Sequence, residues 1–221
     1  MTPGLLGIQS NGQTLSMPMQ IVILLTLLTL LPAVVVSVTP FLRITIVLHF
    51  LRQALGTQTA PSNQVLLGLG LFLTLLIMQP ITGDIYDHAW KPYEKGTMSA
   101  EKALETGLVP VKKFLLKFAR EKDIQVMLEA AHTPAPARAE DIDLRVLVPA
   151  YVLSELKTGF QIGAVLFLPF LIIDLVAASV TLSIGMVQLP PAMLSAPFKI
   201  LLFVLVDGWN LVIGSLVRSF A

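Results

Sequence analysis

Asp174 and Lys199 are the pair best equipped for chemistry in a sequence that otherwise avoids charge. They lie about fourteen and about eleven residues from the middle of "GMVQLPP", so a helical hairpin folded there brings them within roughly one helical turn of the same depth. An acid and an amine facing each other inside apolar helices suit one of two tasks. They can relay a proton during transport, or they can fix the register of two helices. Lys199, Phe203 and Asp207 repeat at i, i+4 and i+8, which gives the last helix one polar stripe. Glu155, Gly159 and Gly163 form a second stripe, with Lys157 beside it in "ELKTGFQIG". Gly159 and Gly163 make a GxxxG, the spacing that lets two helices approach closely, within one chain or between subunits. Thr158 and Gln161 add hydrogen-bonding groups that suit a helix buried in protein rather than in lipid.

Catalytic patterns fare poorly. His49, His88 and His132 are scattered, and no HExxH or similar metal spacing occurs. Asp84, Asp87 and His88 cluster in "GDIYDH", which reads as a metal site or, more simply, as a solvated helix exit. Asp174 and Asp207 could be imagined as an intramembrane aspartyl dyad, but Lys199 nearby opposes the shared proton that such a dyad needs. With no cysteine there are no disulfides and no thiolate sites. The sequence therefore supports no catalytic residue, no metal and no cofactor. A net charge of +1 without a basic cluster excludes a nucleic-acid partner on the same grounds.

The elements that must position these residues are apolar. Hydrophobic residues make up 55% of the 221 and charged ones 13%, and all but eight of the charges fall between Gly83 and Leu147. Two apolar blocks thus flank a polar insert, the pattern of an integral membrane protein. The predicted organisation is an N-terminal segment with a first helical hairpin over 1–82, a polar helical insert over 83–147, and a second hairpin over 148–221. Met1–Ser16 has no positive n-region and reads as loop rather than as a signal peptide.

In the first block, "QIVILLTLLTLLPAVVVSV" after Pro18 is long enough to cross a bilayer, with Pro32 kinking or ending it. Pro40 opens a second helix that stops near Gly56, and a third, "QVLLGLGLFLTLLIM", is expected to end near Gln79 and Pro80. In the insert, Ser99 caps a helix over Ala100–Thr106, Pro110 starts another, and Asp123 caps a further turn or two. The second block holds one helix from Pro149 to about Ile184, with a possible bend at Pro169, and a last helix over roughly Ala192–Arg218. Arg43 and Arg52, in a connection without acids, favour its cytoplasmic placement, leaving both termini and the insert outside.

Two stretches, "PAYVLSELKTGFQIG" (Pro149–Gly163) and "PFKILLFVLVDGW" (Pro197–Trp209), closely resemble the two signature segments of the flagellar biosynthetic protein FliP family. "ALGTQTAPSNQVLLGLGLFLT" (Ala54–Thr74) looks like that family's first-hairpin region, and the similarity runs from about Leu15 to the C-terminus. The resemblance implies an all-α subunit of the type III protein export gate, not an enzyme. It implies about five copies assembled with a FliR-like subunit and FliQ-like hairpins, with FlhB-like and FlhA-like proteins beneath. Unfolded flagellar subunits would pass through the centre, driven by the proton-motive force and an ATPase elsewhere. The assembly would sit in the inner membrane and flagellar basal body, with its core facing the periplasm. Glu155 and Lys157 match charged positions of the first signature, and Asp174 and Lys199 match the family's paired charges. Met186 matches the start of a methionine-rich loop that seals the pore, so Met186, Val187, Gln188 and Leu189 are the implied constriction. Val187 and Gln188 stand where many relatives carry methionine, which implies a looser or differently sealed gasket. The leading rival from the residues alone is a small proton-coupled secondary transporter using Asp174 and Lys199.

Overall fold

The computed structural model describes residues 9–10, 13–14, 16–57, 59–185 and 190–220. Apart from a two-residue antiparallel pairing of Gln9–Ser10 with Gln13–Thr14, the described regular structure is helical, an all-α membrane-type fold. Helix α1 (Met17–Val38) begins with Pro18 in its first turn, where a missing N–H costs nothing, and continues through Pro32. Helix α2 (Phe41–Ala54) follows at once from Pro40 and ends at Leu55, before Gly56 at φ +73°.

Proline and glycine end fewer helices than the sequence suggests. Helix α3 (Asn63–Ile85) passes straight through Pro80, then continues as a π-helical turn (Tyr86–Trp90) into the short α4 (Lys91–Glu94). Helix α5 (Ala100–Phe118) is one element, where two were expected; the Ser99 hydroxyl caps it by accepting from Lys102 N at 3.3 Å. Gly107 is not a stop but a close approach, since a Cβ there would lie 3.5 Å from Ala89 Cβ. Arg120, not Asp123, precedes α6 (Glu121–Ala130). Helix α7 (Leu144–Ser183) starts ahead of Pro149, capped by Asp143 Oδ1 accepting from Arg145 N at 2.8 Å. The common cause is packing. A proline removes one backbone hydrogen bond, whereas ending a helix in an apolar setting strands several backbone groups. Both expected domain boundaries fall inside helices, in α3 and α7.

The last expected helix is two. Helix α8 (Pro191–Leu205) and α9 (Gly208–Arg218) meet at 65° across Val206 and Asp207, with Asp207 left-handed at φ +51°. The turn before α8 includes Gly185 at φ +78°, a conformation open to glycine without strain.

Helix α2 is the axis of the packing. Every residue in it except Gln53 is buried or half-buried, and Ile44, Val47, Leu48 and Leu51 are wholly enclosed. It lies along the first half of α7 at glycine contacts. A Cβ on Gly163 would fall 2.5 Å from Phe50 Cγ, and one on Gly159 would fall 3.1 Å from Ile46 Cγ2. The GxxxG therefore packs α7 against α2 of the same chain. Arg43, half of the charge argument for a cytoplasmic connection, is buried in this core, so that argument retains only Arg52.

Among the described residues three helical spans, Met17–Val38, Asn63–Glu94 and Leu144–Ser183, are long and apolar enough to cross a membrane, and the bent α8–α9 pair makes up to four. At 1.5 Å per residue, the 40 residues of α7 extend about 60 Å, twice the hydrocarbon thickness of a bilayer. Its burial follows the same division: the half up to Gly163 carries most of the core, while Val165, Leu168, Ile172, Leu175 and Val176 beyond it are exposed.

Candidate functional site

Polar side chains inside this apolar fold collect into three groups, each tying α7 to a different element. The first centres on Arg43 of α2. Its Nε donates to Glu155 Oε2 at 2.9 Å and its Nη2 to Glu155 Oε1 at 2.5 Å, a two-pronged bridge with both side chains buried. Its Nη1 donates to Ser219 Oγ at 3.0 Å and to Ser219 O at 3.3 Å. The guanidinium also lies 3.9 Å from the Phe220 ring centroid and 5.5 Å from that of Phe118. Tyr151, one turn before Glu155, is fully buried, and its hydroxyl has no hydrogen-bond partner among the described residues.

The second group fastens the insert. Lys157 pairs with Asp123, whose other oxygen accepts from Ser154 Oγ at 2.8 Å. The Arg120 backbone N–H donates to that same Ser154 Oγ at 2.9 Å, and Arg120 Nη2 reaches Thr158 Oγ1 at 3.0 Å and Gln161 Oε1 at 2.6 Å. Burial pushes the Asp123 carboxyl up, but the hydrogen bonds from Lys157 and Ser154 outweigh it and hold the acid below its ordinary range. It therefore stays ionised, and the α5–α6 corner stays fixed to α7, until the pH falls below that range.

The third group closes the second hairpin. Lys199 Nζ donates to Asp174 Oδ2 at 2.6 Å and Ser195 Oγ donates to Asp174 Oδ1 at 2.5 Å, so both carboxylate oxygens are occupied. The buried stripe of α8 is Ser195, Lys199 and Phe203, and the helix breaks before Asp207 would continue it. Asp207 is exposed, takes no part in a salt bridge among the described residues, and accepts from Asn210 Nδ2 at 3.1 Å. Met186, Val187, Gln188 and Leu189 lie outside the described residues.

Elsewhere, Asp84, Asp87 and His88 are exposed on the helix exit, with Asp87 3.8 Å from Lys91. Among the described residues no three His, Cys, Asp or Glu side chains are grouped to hold a metal. Sequence reasoning missed Arg43, Asp123, Arg120 and Ser195 as members of these groups. The signal for Arg43 was available: a lone arginine in "FLRITIVL" needs a partner for the same reason Asp174 does.

The profile of the FliP family matches residues 24–216, nearly the whole chain. The chain belongs to the FliP family. It is 52% identical over 211 residues to "Flagellar biosynthetic protein FliP" of Pectobacterium carotovorum subsp. carotovorum, covering 96% of this chain and 82% of that protein. The protein of the same name from Bacillus subtilis (strain 168) is 46% identical, with 96% of each chain covered. That of Buchnera aphidicola subsp. Acyrthosiphon pisum is 49% identical and longer, this chain covering 58% of it. In this FliP-family chain the two stretches that carried the resemblance contain some of the α7 and α8 members of the polar groups, while Asp174 and Ser195 lie between them. Pro149–Gly163 holds Ser154, Glu155 and Lys157, and Pro197–Trp209 holds Lys199.

Proposed function

We propose that this chain is a core subunit of the flagellar type III protein export gate, working as a channel component rather than as an enzyme. The observation that carries the reading is the family match over residues 24–216. The geometry supports it. The polar groups are spent on holding helices together, which leaves Asp174 with both oxygens engaged. Large apolar faces on α1, α8 and the far half of α7 remain uncovered, as suits a subunit meant for lipid and for neighbouring chains. In this reading about five copies join FliR-like and FliQ-like subunits, with FlhB-like and FlhA-like proteins beneath, and unfolded flagellar proteins pass through the centre. Co-expression of this chain with such partners should yield one detergent-stable particle whose native mass fits several copies. A chain that stays monomeric with every partner present would defeat the proposal.

The turn between α7 and α8 is proposed to ring the pore. Methionine is unbranched and adaptable, so Met186 can fill an irregular gap and repack as a polypeptide passes. The absence of native cysteine makes the test direct. Met186→Cys or Gln188→Cys should crosslink neighbouring copies on oxidation, and Met186→Ala should leave assembly intact but raise ion leakage. No crosslink in assembled particles, together with unchanged leakage, removes the turn from the pore.

The assembly is proposed to lie in the inner membrane and flagellar basal body, with the insert on the periplasmic side. The insert carries both signs of charge in near balance, which makes export tolerable, and it is fastened to the first half of α7. Lys95→Cys and Glu121→Cys should react with an impermeant thiol reagent in intact spheroplasts. Labelling only after lysis reverses the orientation.

A further inference from the structure

We infer that Arg52 of one copy pairs with Asp207 of the next, so that copies of this chain join head to tail through two different faces. Of the charged residues outside the insert, Arg43, Glu155, Lys157, Asp174 and Lys199 are held in salt bridges. Arg52, Asp207 and Arg218 take part in none among the described residues. Asp207 is exposed at the α8–α9 corner beside the exposed Leu205, Val206 and Leu211, with the Asn210 amide as its donor. Arg52 is half-buried and engages only Nη1, which donates to Asn63 Oδ1 at 2.5 Å and to Pro61 O at 3.5 Å. Its Nε and Nη2 are left over, the same two donors with which Arg43 grips Glu155. A charge set among apolar side chains is costly unless it meets its opposite.

The two residues lie at one level of the subunit but on opposite sides of α2. Arg43 reaches Ser219 at the end of α9, and Val47 shares a groove with Val212 and Leu216, so α9 runs antiparallel to α2. From the Arg43–Ser219 hydrogen bond, Asp207 lies twelve residues back along the chain and Arg52 nine residues on. At 1.5 Å per residue these are about 18 and about 14 Å, a difference of less than one helical turn. Around α2, nine residues at about 100° each place Arg52 on the side away from Arg43, and so away from α9. Its hydrogen bond to Asn63 agrees, since that residue opens α3. Arg218 stands beside Ser219 at the far end of α9, well off the level of Asp207.

One chain therefore does not join Arg52 to Asp207, whereas a second copy can. Each copy offers a cation on one face and an anion at matching height on another. Both faces carry exposed apolar residues, Val65 and Leu67 following Asn63 on the Arg52 side. Such a contact is heterologous, and its repetition builds a ring or a helix in which every copy uses both faces. The inference rests on the reading that several copies assemble.

The test uses two differently tagged copies of the full chain, co-expressed with the same partners and extracted as the particle. Arg52→Asp in both copies, or Asp207→Arg in both, sets like charges together and should cut capture of one tag with the other at least about tenfold. Arg52→Asp in one copy with Asp207→Arg in the other should restore most of the capture, because every contact between unlike copies is then matched. A pair closed within one chain is not rescued in this way. If either reversed chain is degraded, Arg52→Cys in one copy and Asp207→Cys in the other decide instead, since the chain has no native cysteine. A disulfide joining the two tags on oxidation supports the contact, and its absence refutes it. The inference is also overturned if the mixed pair is captured no better than the like pairs, or if the reversals leave capture unchanged. Loss of a FliQ-like subunit in that last case assigns the charges to another partner. A wild-type chain that forms no particle of several copies defeats the assembly reading itself, whereas a particle indifferent to the reversals defeats only this inference.

Discussion

Glu155→Ala is expected to cost roughly 3–5 kcal/mol of stability, the penalty for leaving Arg43 buried without its carboxylate. Both side chains are essentially inaccessible, and the lost carboxylate oxygens were the acceptors of two of the guanidinium's donors. Arg43→Ala should cost as much, because it strands Glu155 and also frees Ser219 and Phe220. The double replacement Arg43→Met with Glu155→Leu should recover most of the loss, since a buried pair gains little over well-packed apolar groups. It should not recover all of it, because the hold on Ser219 is still gone. The check is the apparent melting temperature of the full chain in nanodiscs, with the four forms compared as a cycle. If the double variant is no more stable than the worse single one, the pairing of these charges is not what they contribute.

This pair also marks where the sequence was readable and where it was not. The class of fold followed from apolar blocks and a charged insert, and the helices of both blocks lie close to where the hydrophobic runs place them. Boundaries drawn at Pro80 and Pro149 failed because an interrupted helix would strand its backbone in apolar surroundings, and those at Gly107 and Pro110 failed because α5 runs on past Gly107, which packs against Ala89 and Ile85. The corner at Asp207 was masked in the other direction: the turn-prone pair Asp207–Gly208 sits between two apolar runs that read as one helix, and the chain breaks there with Asp207 left-handed. Among the polar groups, hairpin symmetry was enough to align Asp174 with Lys199, since one short turn joins their helices. Arg43 and Glu155 are 112 residues apart, and Asp123 and Lys157 are 34 apart on elements joined by a linker. No spacing rule reaches across such distances. What the sequence could say is that each lone charge in an apolar run required a partner, not which one.

Asp174 and Lys199 should behave unequally when removed. Lys199 is almost wholly enclosed, with 4% of its side chain accessible, whereas Asp174 retains 30%. Asp174→Ala strands a buried ammonium and leaves the Ser195 hydroxyl only its longer contact to Ala192 O, so its cost should approach roughly 3–5 kcal/mol. Lys199→Ala leaves a carboxylate that keeps one of its two donors, the Ser195 hydroxyl, so its cost should be smaller. The exchange Asp174→Lys with Lys199→Asp restores opposite charges at the same depth but places an ammonium where Ser195 donated. It should therefore regain part of the lost complex yield, not all of it. Yield of assembled particles is the readout, set beside export in the same cells. A fastening pair loses assembly and export together, in the order Asp174→Ala before Lys199→Ala. A proton site loses transport while assembly stands, and the exchanged pair does not restore it. Single variants that assemble at full yield yet export nothing would therefore overturn the structural role given to this pair and return the transporter reading to first place.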